Sequence, residues 1–388
     1  MVAVSVYCLA YNHEKTIRRA LEGMVRQKTD FDFEVIVHDD ASADGTAAII
    51  RAYAAEYPEI IRPVCQTENQ WSKGISIVET QIRPRVRGRY IAICEGDDYW
   101  TDSHKLQKQY DYMEAHPDCT LCFTNAVIRN DGKGTRRTFV PYSRKDAQQF
   151  DPAKEDYCLH DFHRLTFIPT ASFFFRTECY DALMSAGIPH CPVDDLRLRL
   201  FVTSLGYAHF INEKTCVYRE DSAGSIMKSW REQDARKAER DAGMNYRMLA
   251  ALDQFTGHVY HRGLLPFMAT SGAAMLENAP VHELCTNPVY REILSVMKPD
   301  RKIKTVLKAL KPDRKTRTVL KALKPDGKTR TVLKPDGKTR AVLKPGRKTR
   351  AELKALKPGK EKERPACGKL KKSRVRSVKE KGPEIYEK

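Results

Sequence analysis

The sequence predicts an α/β fold with a mainly parallel central sheet and flanking helices, followed by a helical segment and a basic tail. Three observations carry this. Short apolar runs rich in β-branched residues alternate with segments of helical period along the first 115 residues. The connections are only a few residues long, as strand–helix–strand units on one sheet require. Polar and acidic residues stand where three of the strands end, and ligands of such sheets bind beyond the carboxyl ends of the strands.

Residues 2–9 alternate Val2, Val4 and Val6 and then turn wholly apolar, which argues a strand. Tyr11, Asn12, His13 and Glu14 follow. Ile17, Ala20, Leu21, Met24 and Val25 then recur at helical spacing to about Gln27. A second strand, residues 33–38, runs into Asp39 and Asp40. Residues 41–46 (ASADGT) are turn and N-cap chemistry. They lead into a helix with Ala48, Ile49, Tyr53 and Tyr57 on one face, stopped at Pro58. A short strand over 60–65, a loop through Asn69 and Gly74, a helix to about Ile82 and a strand over 89–94 complete the alternation.

The strand at 89–94 opens the stretch on which the function turns, GRYIAICEGDDYW at residues 88–100. Glu95, Asp97 and Asp98 arrive within four residues. Carboxylates crowded at a strand end repel one another unless a cation lies among them. Oxygen-only ligands suit Mg²⁺ or Mn²⁺, usually through one or two carboxylates plus substrate phosphates. Taken alone, the three acids read better as a solvated turn; the polar ends of the two upstream strands tip the reading to a site.

Further along, a helix over 105–115 repeats Leu106, Tyr110 and Met113 and stops before Pro117. Strands are expected over 121–128 and 138–140, then a polar, irregular stretch to about Asp161, then a buried strand over 168–176. Asp194 and Asp195 precede an apolar helical run, and a strand follows over 207–218. His163 and His209 read as packed or surface residues. From 229 to 293 the pattern is helical, with Met244, Met248, Leu249 and Leu252 on one face.

The formal charge of +18 is unevenly spread. Residues 298–388 hold 33 Lys and Arg against 10 Asp and Glu, a net of +23, whereas residues 1–297 hold 35 against 40, a net of −5. The tail repeats Lys-Pro-Asp or Lys-Pro-Gly around Pro299, Pro312, Pro325, Pro335, Pro345 and Pro358. With few apolar residues and a proline in every candidate helix, it is expected to be disordered. It suits an extension without a defined task, a partner surface of anionic lipid, or nucleic acid. The last is disfavoured because stacking aromatics and a folded reader are absent. No leader pattern opens the chain and no apolar run approaches the roughly 20 residues of a membrane span. A cytoplasmic location is expected, peripheral on the inner face of the cell membrane if the tail binds lipid. The eleven cysteines, irregularly spaced, are expected as reduced, mostly buried thiols.

At residues 4–12 (VSVYCLAYN), 38–46 (HDDASADGT) and 88–100, in this order and spacing, the chain resembles family 2 glycosyltransferases of the GT-A fold, over roughly residues 2–220. The resemblance implies a Rossmann-like GT-A catalytic domain over 1–228, with a helical accessory segment over 229–297 and the basic tail over 298–388. It implies inverting transfer of a sugar from a nucleotide-diphosphate donor, expected to be a UDP-sugar, to a hydroxyl of a glycan or lipid-linked acceptor. Tyr11 falls where the family packs against the nucleoside and Asp40 where it bonds the base, with Asn12, Glu14 and Asp39 on the same donor loops. Glu95-Gly96-Asp97 occupies the family's Asp-x-Asp position, with Asp97 the direct ligand of Mn²⁺ or Mg²⁺. Glu95 and Asp98 then contact ribose, ordered water or the sugar. Asp195 best matches the family's general base, with Asp194 as the alternative; one of the two is expected to cap the helix. Arg83, Arg85 and Arg87 stand where many relatives carry Ala-Arg-Asn. Two other classes compete. A nucleotidyltransferase would carry a Gly-rich basic loop after the first strand, where this chain has Tyr11 to Glu14. A non-catalytic binding protein docked through its tail would not need the acidic sets at 95–98 and 194–195.

Overall fold

Val4, Val6 and Cys8 are fully buried in β1 (Val4–Ala10), and Ser5 on the opposite face is buried too, so the strand is covered on both sides. The computed structural model describes residues 1–130, 132–165, 167–220, 234–278, 329–333 and 339–343. In it β1 pairs in parallel with β2 (Phe33–Asp39), and β2 pairs in parallel with β3 (Ile61–Cys65). On its other side β1 pairs in parallel with β4 (Tyr90–Ile93). The crossovers are α1 (Ile17–Val25) and α2 (Thr46–Glu56). Ile17, Ala20, Leu21 and Met24 form the buried stripe of α1, as their spacing predicts. In α2 the buried row is Thr46, Ile50 and Tyr53; of the expected face Tyr53 lies on it, whereas Ala48 is exposed and Ile49 half-buried. The i, i+4, i+7 row from Thr46 is the one that meets the sheet.

Before β4 the expected helix is replaced by a 3-10 turn (Trp71–Lys73), a π turn (Val78–Ile82) and a second 3-10 turn (Arg83–Arg85). Pro84 supplies no amide, so a regular helix cannot run through it.

The remaining strands are β5 (Tyr99–Trp100), β6 (Cys119–Asn130), β7 (Thr135–Thr138), β8 (Asp156–Tyr157), β9 (Phe174–Arg176) and β10 (Tyr207–Arg219). The sheet runs β3-β2-β1-β4-β9-β6-β10-β5, with β7 on β6 and β8 on β10. It is parallel from β3 to β4 and mixed beyond, since β9 lies antiparallel between β4 and β6. The reason is how β9 starts. The chain enters it beside the carboxyl end of β4, where Ile93 N–H donates to Phe173 O (3.2 Å), without the crossover a parallel pair needs. Of the expected strand over 168–176, only the end is strand. Thr170–Ser172 is a 3-10 turn closed by the Ser172 hydroxyl on Pro169 O (2.6 Å). Likewise β7 ends before residues 139 and 140, because the Asn125 side chain takes both the N–H and the carbonyl of Val140 (2.9 and 3.0 Å).

Helix α3 (Lys105–Ala115) has the predicted bounds. The stretch expected to be irregular holds α4 (Arg144–Gln149), opened by a Ser143–Asp146 capping box. Next come α5 (Thr177–Ser185) and α6 (Asp194–Ser204), whose residues 196–204 are all buried. The core between β6, β9 and β10 is aromatic, with Phe123 stacked on Phe210 (4.9 Å) and Tyr90 on Phe174 (5.1 Å). His209 is packed, bonded to Asp156 (2.8 Å) and stacked on Tyr112. The nine described cysteines are free thiols, seven of them buried.

The described residues divide into two compact units. One holds the described residues up to 220 together with 247–265; the other holds 234–246 and the described residues from 266 onward. Helices α7 (Ala235–Phe255) and α8 (His261–Asn278) supply the helical pattern, and Met248, Leu249 and Leu252 are fully buried. Ten tail residues, β11 (Thr329–Leu333) and β12 (Thr339–Leu343), pair as an antiparallel hairpin where disorder was expected. Their Thr and Val content suits strands. The rest of the tail and the expected helix beyond residue 278 lie outside the described residues. Among the described residues no helix is long and apolar enough to cross a membrane.

Candidate active site

Parallel pairing decides where the loops emerge. Ala10 lies opposite Asp39 and Tyr7 opposite Ile93, so β1, β2 and β4 end side by side at one edge of the sheet. The loops after β1 and β2 are sewn together by their own polar groups. Asn12 N–H donates to Ser42 Oγ (2.8 Å), and Asn12 Oδ1 accepts the Ala43 amide (2.9 Å). His13 N–H donates to Thr46 Oγ1 (2.8 Å) and Glu14 N–H to Asp44 Oδ2 (3.1 Å). Asn12 and Ala41 take left-handed backbone, with φ of 55° and 60°. Asn tolerates this region; for Ala it costs roughly 1–2 kcal/mol, which the surrounding bonds must offset.

Asp39 and Asp40 are 1% and 3% exposed and serve separate ends. Asp39 accepts both the amide and the hydroxyl of Ser42, forming the turn into α2. Asp40 Oδ1 accepts the Gln70 amide (2.7 Å) and Oδ2 the Trp71 amide (3.0 Å), so its carboxylate anchors the turn at 69–72. That turn carries Trp71, 64% exposed; the Asp40 amide in turn donates to the carbonyl of Ala10, which precedes Tyr11, 48% exposed. Asp40→Ala is therefore expected to cost about 2–5 kcal/mol, since two amides lose a charged acceptor. Asp40→Asn, which keeps a carbonyl, should cost less. Urea midpoints measure this, and an unchanged midpoint for Asp40→Ala would remove the anchoring role.

The third loop is the acidic turn. Cys94 N–H donates to Tyr7 O (3.1 Å) and Gly96 N–H to Leu9 O (2.9 Å), extending the β4 pairing with β1 into the turn. A Cβ on Gly96 would come within 2.7 Å of His13 Nδ1, so the position between Glu95 and Asp97 has room only for hydrogen. The carboxylates of Glu95, Asp97 and Asp98 lie within 4.8 Å of one another. Burial, then Asp97 and then Asp195 push the Glu95 carboxyl up to about 8. Burial, followed by Asp97 and Glu95, raises Asp98 well above the carboxylate range, although its Oδ1 accepts the Arg219 amide (2.9 Å). The turn thus has too much negative charge for its surroundings.

Asp194 and Asp195 occupy the first turn of α6, where the helix dipole favours anions. Asp194 is engaged, with His190 at 3.2 Å and Arg197 at 3.3 Å. Asp195 acts on Glu95, and both Asp194 and Asp195 act on the buried Tyr7 hydroxyl. Its own carboxyl is raised by burial, against the pull of the Arg199 guanidinium. The three arginines before β4 face other tasks. Arg83 forms a bidentate pair with Asp181 (2.5 and 2.7 Å), Arg87 pairs with the buried Glu34, and Arg85 donates to Gln81 O (2.7 Å).

Three residues of this edge escaped the sequence reading. His13 Nδ1 is buried without a partner among the described residues, and burial keeps the ring neutral despite Asp97, Asp44 and Asp39. Arg219 lies beside Asp98 and over the Tyr99 ring (5.1 Å). Arg199, 2% exposed, faces Asp195. Only the contact of His13 with Gly96 had a local signal, the glycine itself.

A protein-family model described as Glycosyl transferase family 2 matches residues 5–178, which span all three loops of this edge. The chain is a family 2 glycosyltransferase. It transfers sugar from a nucleotide-sugar donor, and its fold resembles GT-A. An uncharacterized protein of Mycobacterium tuberculosis is 34% identical over 259 residues, covering 66% of this transferase and 69% of the relative. The UDP-Glc:alpha-D-GlcNAc-diphosphoundecaprenol beta-1,3-glucosyltransferase WfaP of Escherichia coli is 33% identical over 131 residues, 34% of this chain and 49% of its own. Among solved structures, S. aureus TarS 1–349 in complex with UDP-GlcNAc aligns at a TM-score of 0.49 and 15% identity, covering 89% of this chain and 98% of that one.

Proposed function

We propose that this glycosyltransferase moves a sugar, with inversion, from a UDP-sugar to a hydroxyl of a glycan or lipid-linked acceptor, with Asp195 as general base. The observation that carries the reading is the charge cluster itself. Asp195, a hundred residues along the chain from the acidic turn, joins Asp97 in raising the proton affinity of the buried Glu95, at the edge where β1, β2 and β4 end.

The acidic turn fits a divalent cation: its donors are all oxygen, they lie within 4.8 Å, and burial together with the neighbouring carboxylates raises the proton affinities of Glu95 and Asp98. Asp97, with Glu95 and Asp98 beside it, would hold Mn²⁺ or Mg²⁺, which when bound offsets charge on the leaving nucleoside diphosphate. Asp195 takes the proton of the acceptor hydroxyl as that oxygen attacks the anomeric carbon on the face opposite the diphosphate. Asp194, held by His190 and Arg197, is the lesser candidate. Tyr11 and Trp71 flank the nucleoside, Asp40 holds their turns together, and Arg219 lends a guanidinium beside the acidic turn. The name of the E. coli relative describes a UDP-linked donor and a diphosphoundecaprenol-linked acceptor, and this supports the same classes here. A tail of net +23 would hold the enzyme on anionic lipid, at about 1 kcal/mol per basic residue near the surface.

A melting-temperature panel of the full chain with UDP-, GDP- and dTDP-sugars, each with Mn²⁺ or Mg²⁺, tests the donor. A ligand that binds only the folded form raises Tm, and UDP-sugars are expected to give the largest shift. Transfer products with a retained anomeric configuration, or shifts confined to GDP- or dTDP-sugars, would overturn the corresponding part of the reading.

A further inference from the structure

The connection between α7 and α8 carries a side-chain cluster unrelated to the acidic turn. Asp253 sits on the last turn of α7, and its Oδ2 accepts from Nδ1 of both His258 and His261, each at 2.8 Å. These three residues present their ligand atoms within 4.8 Å of one another. All three belong to the same compact unit as the sheet.

The backbone is built to hold them. His258 N–H donates to Asp253 O (2.9 Å) and Gly257 N–H to Gln254 O (2.9 Å), the paired bonds that close a helix end around a left-handed residue. Gly257 and His258 both take left-handed backbone, with φ of 60° and 61°. The second of these folds the His258 ring back over the last turn of the helix it has just left.

The charge balance at this elbow points to a cation. Asp253 is 5% exposed and lies at the carboxyl end of a 21-residue helix, where the dipole opposes a negative side chain. Its second oxygen, Oδ1, is buried with no hydrogen-bond partner among the described residues. A buried carboxylate oxygen left unpaired is costly, and two imidazoles bonded to the other oxygen leave it unsatisfied.

We propose that Asp253, His258 and His261 form a structural site for a divalent transition metal, Zn²⁺ being the best match. Two imidazoles and one carboxylate are a borderline-soft donor set that suits Zn²⁺, whereas the all-oxygen turn at 95–98 suits Mg²⁺ or Mn²⁺. Tetrahedral Zn²⁺ with bonds of about 2.0–2.2 Å separates neighbouring donors by roughly 3.4 Å. Each Nδ1 therefore retreats from Oδ2 by about 0.6 Å, a side-chain adjustment, and its proton passes to Nε2 of the same ring. Water completes the coordination. The site would staple an elbow that touches the sheet region: Phe255 packs on Phe201 of α6 (ring centroids 5.1 Å apart), the helix that begins with Asp194 and Asp195, Tyr260 meets the His160 ring (5.0 Å), and Gly263 lies against the Leu159 carbonyl.

The test uses the metal-stripped full chain titrated with Zn²⁺, and with Co²⁺ followed by its visible d–d absorption. The wild type is expected to take up one equivalent with a tetrahedral Co²⁺ spectrum, and Zn²⁺ should raise Tm by about 2–4 °C or more. Asp97→Asn should keep both signals, which assigns them away from the acidic turn. His261→Ala should weaken uptake by on the order of 10-fold or more. His258→Gln, at a ring 68% exposed, preserves a hydrogen-bond donor to Asp253 and the fold but should also lose the Co²⁺ spectrum. Uptake and spectrum unchanged in His258→Gln and His261→Ala, or no uptake by the wild type, would overturn the site and leave a hydrogen-bonded helix stop.

Discussion

Asp97→Asn is expected to abolish sugar transfer, lowering kcat by on the order of 10³-fold or more, while the protein stays folded. The reasoning is electrostatic. Asp97 is half-buried in a turn whose backbone bonds run through residues 94, 96 and 98, so the course of the turn is set by its main chain. Its charge instead holds up the proton affinities of Glu95 and Asp98. Removing that charge relieves repulsion in the metal-free protein, so Tm in chelator should be equal to or above that of the wild type. The same change removes the ligand, so any Tm rise produced by Mn²⁺ with the donor should disappear. Loss of activity with preserved metal-free stability is the signature. Transfer within tenfold of the wild type, or an undiminished Mn²⁺ response, would show that the cation is held elsewhere.

Asp195→Asn should lower kcat by about 10²–10⁴-fold with the donor KM little changed, because a general base acts on the acceptor proton in the transition state. Asp194→Asn should lower it by less than about tenfold, the loss coming from a helix start and its ties to His190 and Arg197. The pH profile supplies an independent sign. A base works ionised, so the rate falls as pH drops through its pKa. Burial holds Asp195 above the usual carboxylate value, so the acid limb of kcat should lie above the range of an exposed aspartate and vanish in Asp195→Asn. Equal losses in the two variants, or an acid limb that survives in Asp195→Asn, would reassign the base.

The site shows how far local patterns reach. The acidic turn was legible because its three carboxylates lie within four residues and follow an apolar strand. The same window cannot tell that Asp40 spends its carboxylate on the amides of residues 70 and 71, thirty positions away. Nor does it separate Asp194 from Asp195. They are adjacent in sequence, and only the fold ties Asp194 to His190 and Arg197 and brings the charge of Asp195 to bear on Glu95. The arginines of the 83–87 stretch look alike on paper, yet their partners, Asp181 and Glu34, come from elsewhere in the chain. The Asp253, His258 and His261 cluster left no spacing signal, because a left-handed turn between two helices brings its members together.

The amino-acid order alone determined the strand–helix alternation, the shared edge of polar strand ends, the acidic turn and the break in charge at residue 298. Each of these is a property of neighbours, set by side-chain period and by repulsion within a few residues. The tertiary structure decided the antiparallel insertion of β9, which acids share one field, which are spent on holding loops, and which residues gather at the elbow between α7 and α8. Those depend on which distant segments pack together, and burial sets the strength of a charge interaction only once that packing exists.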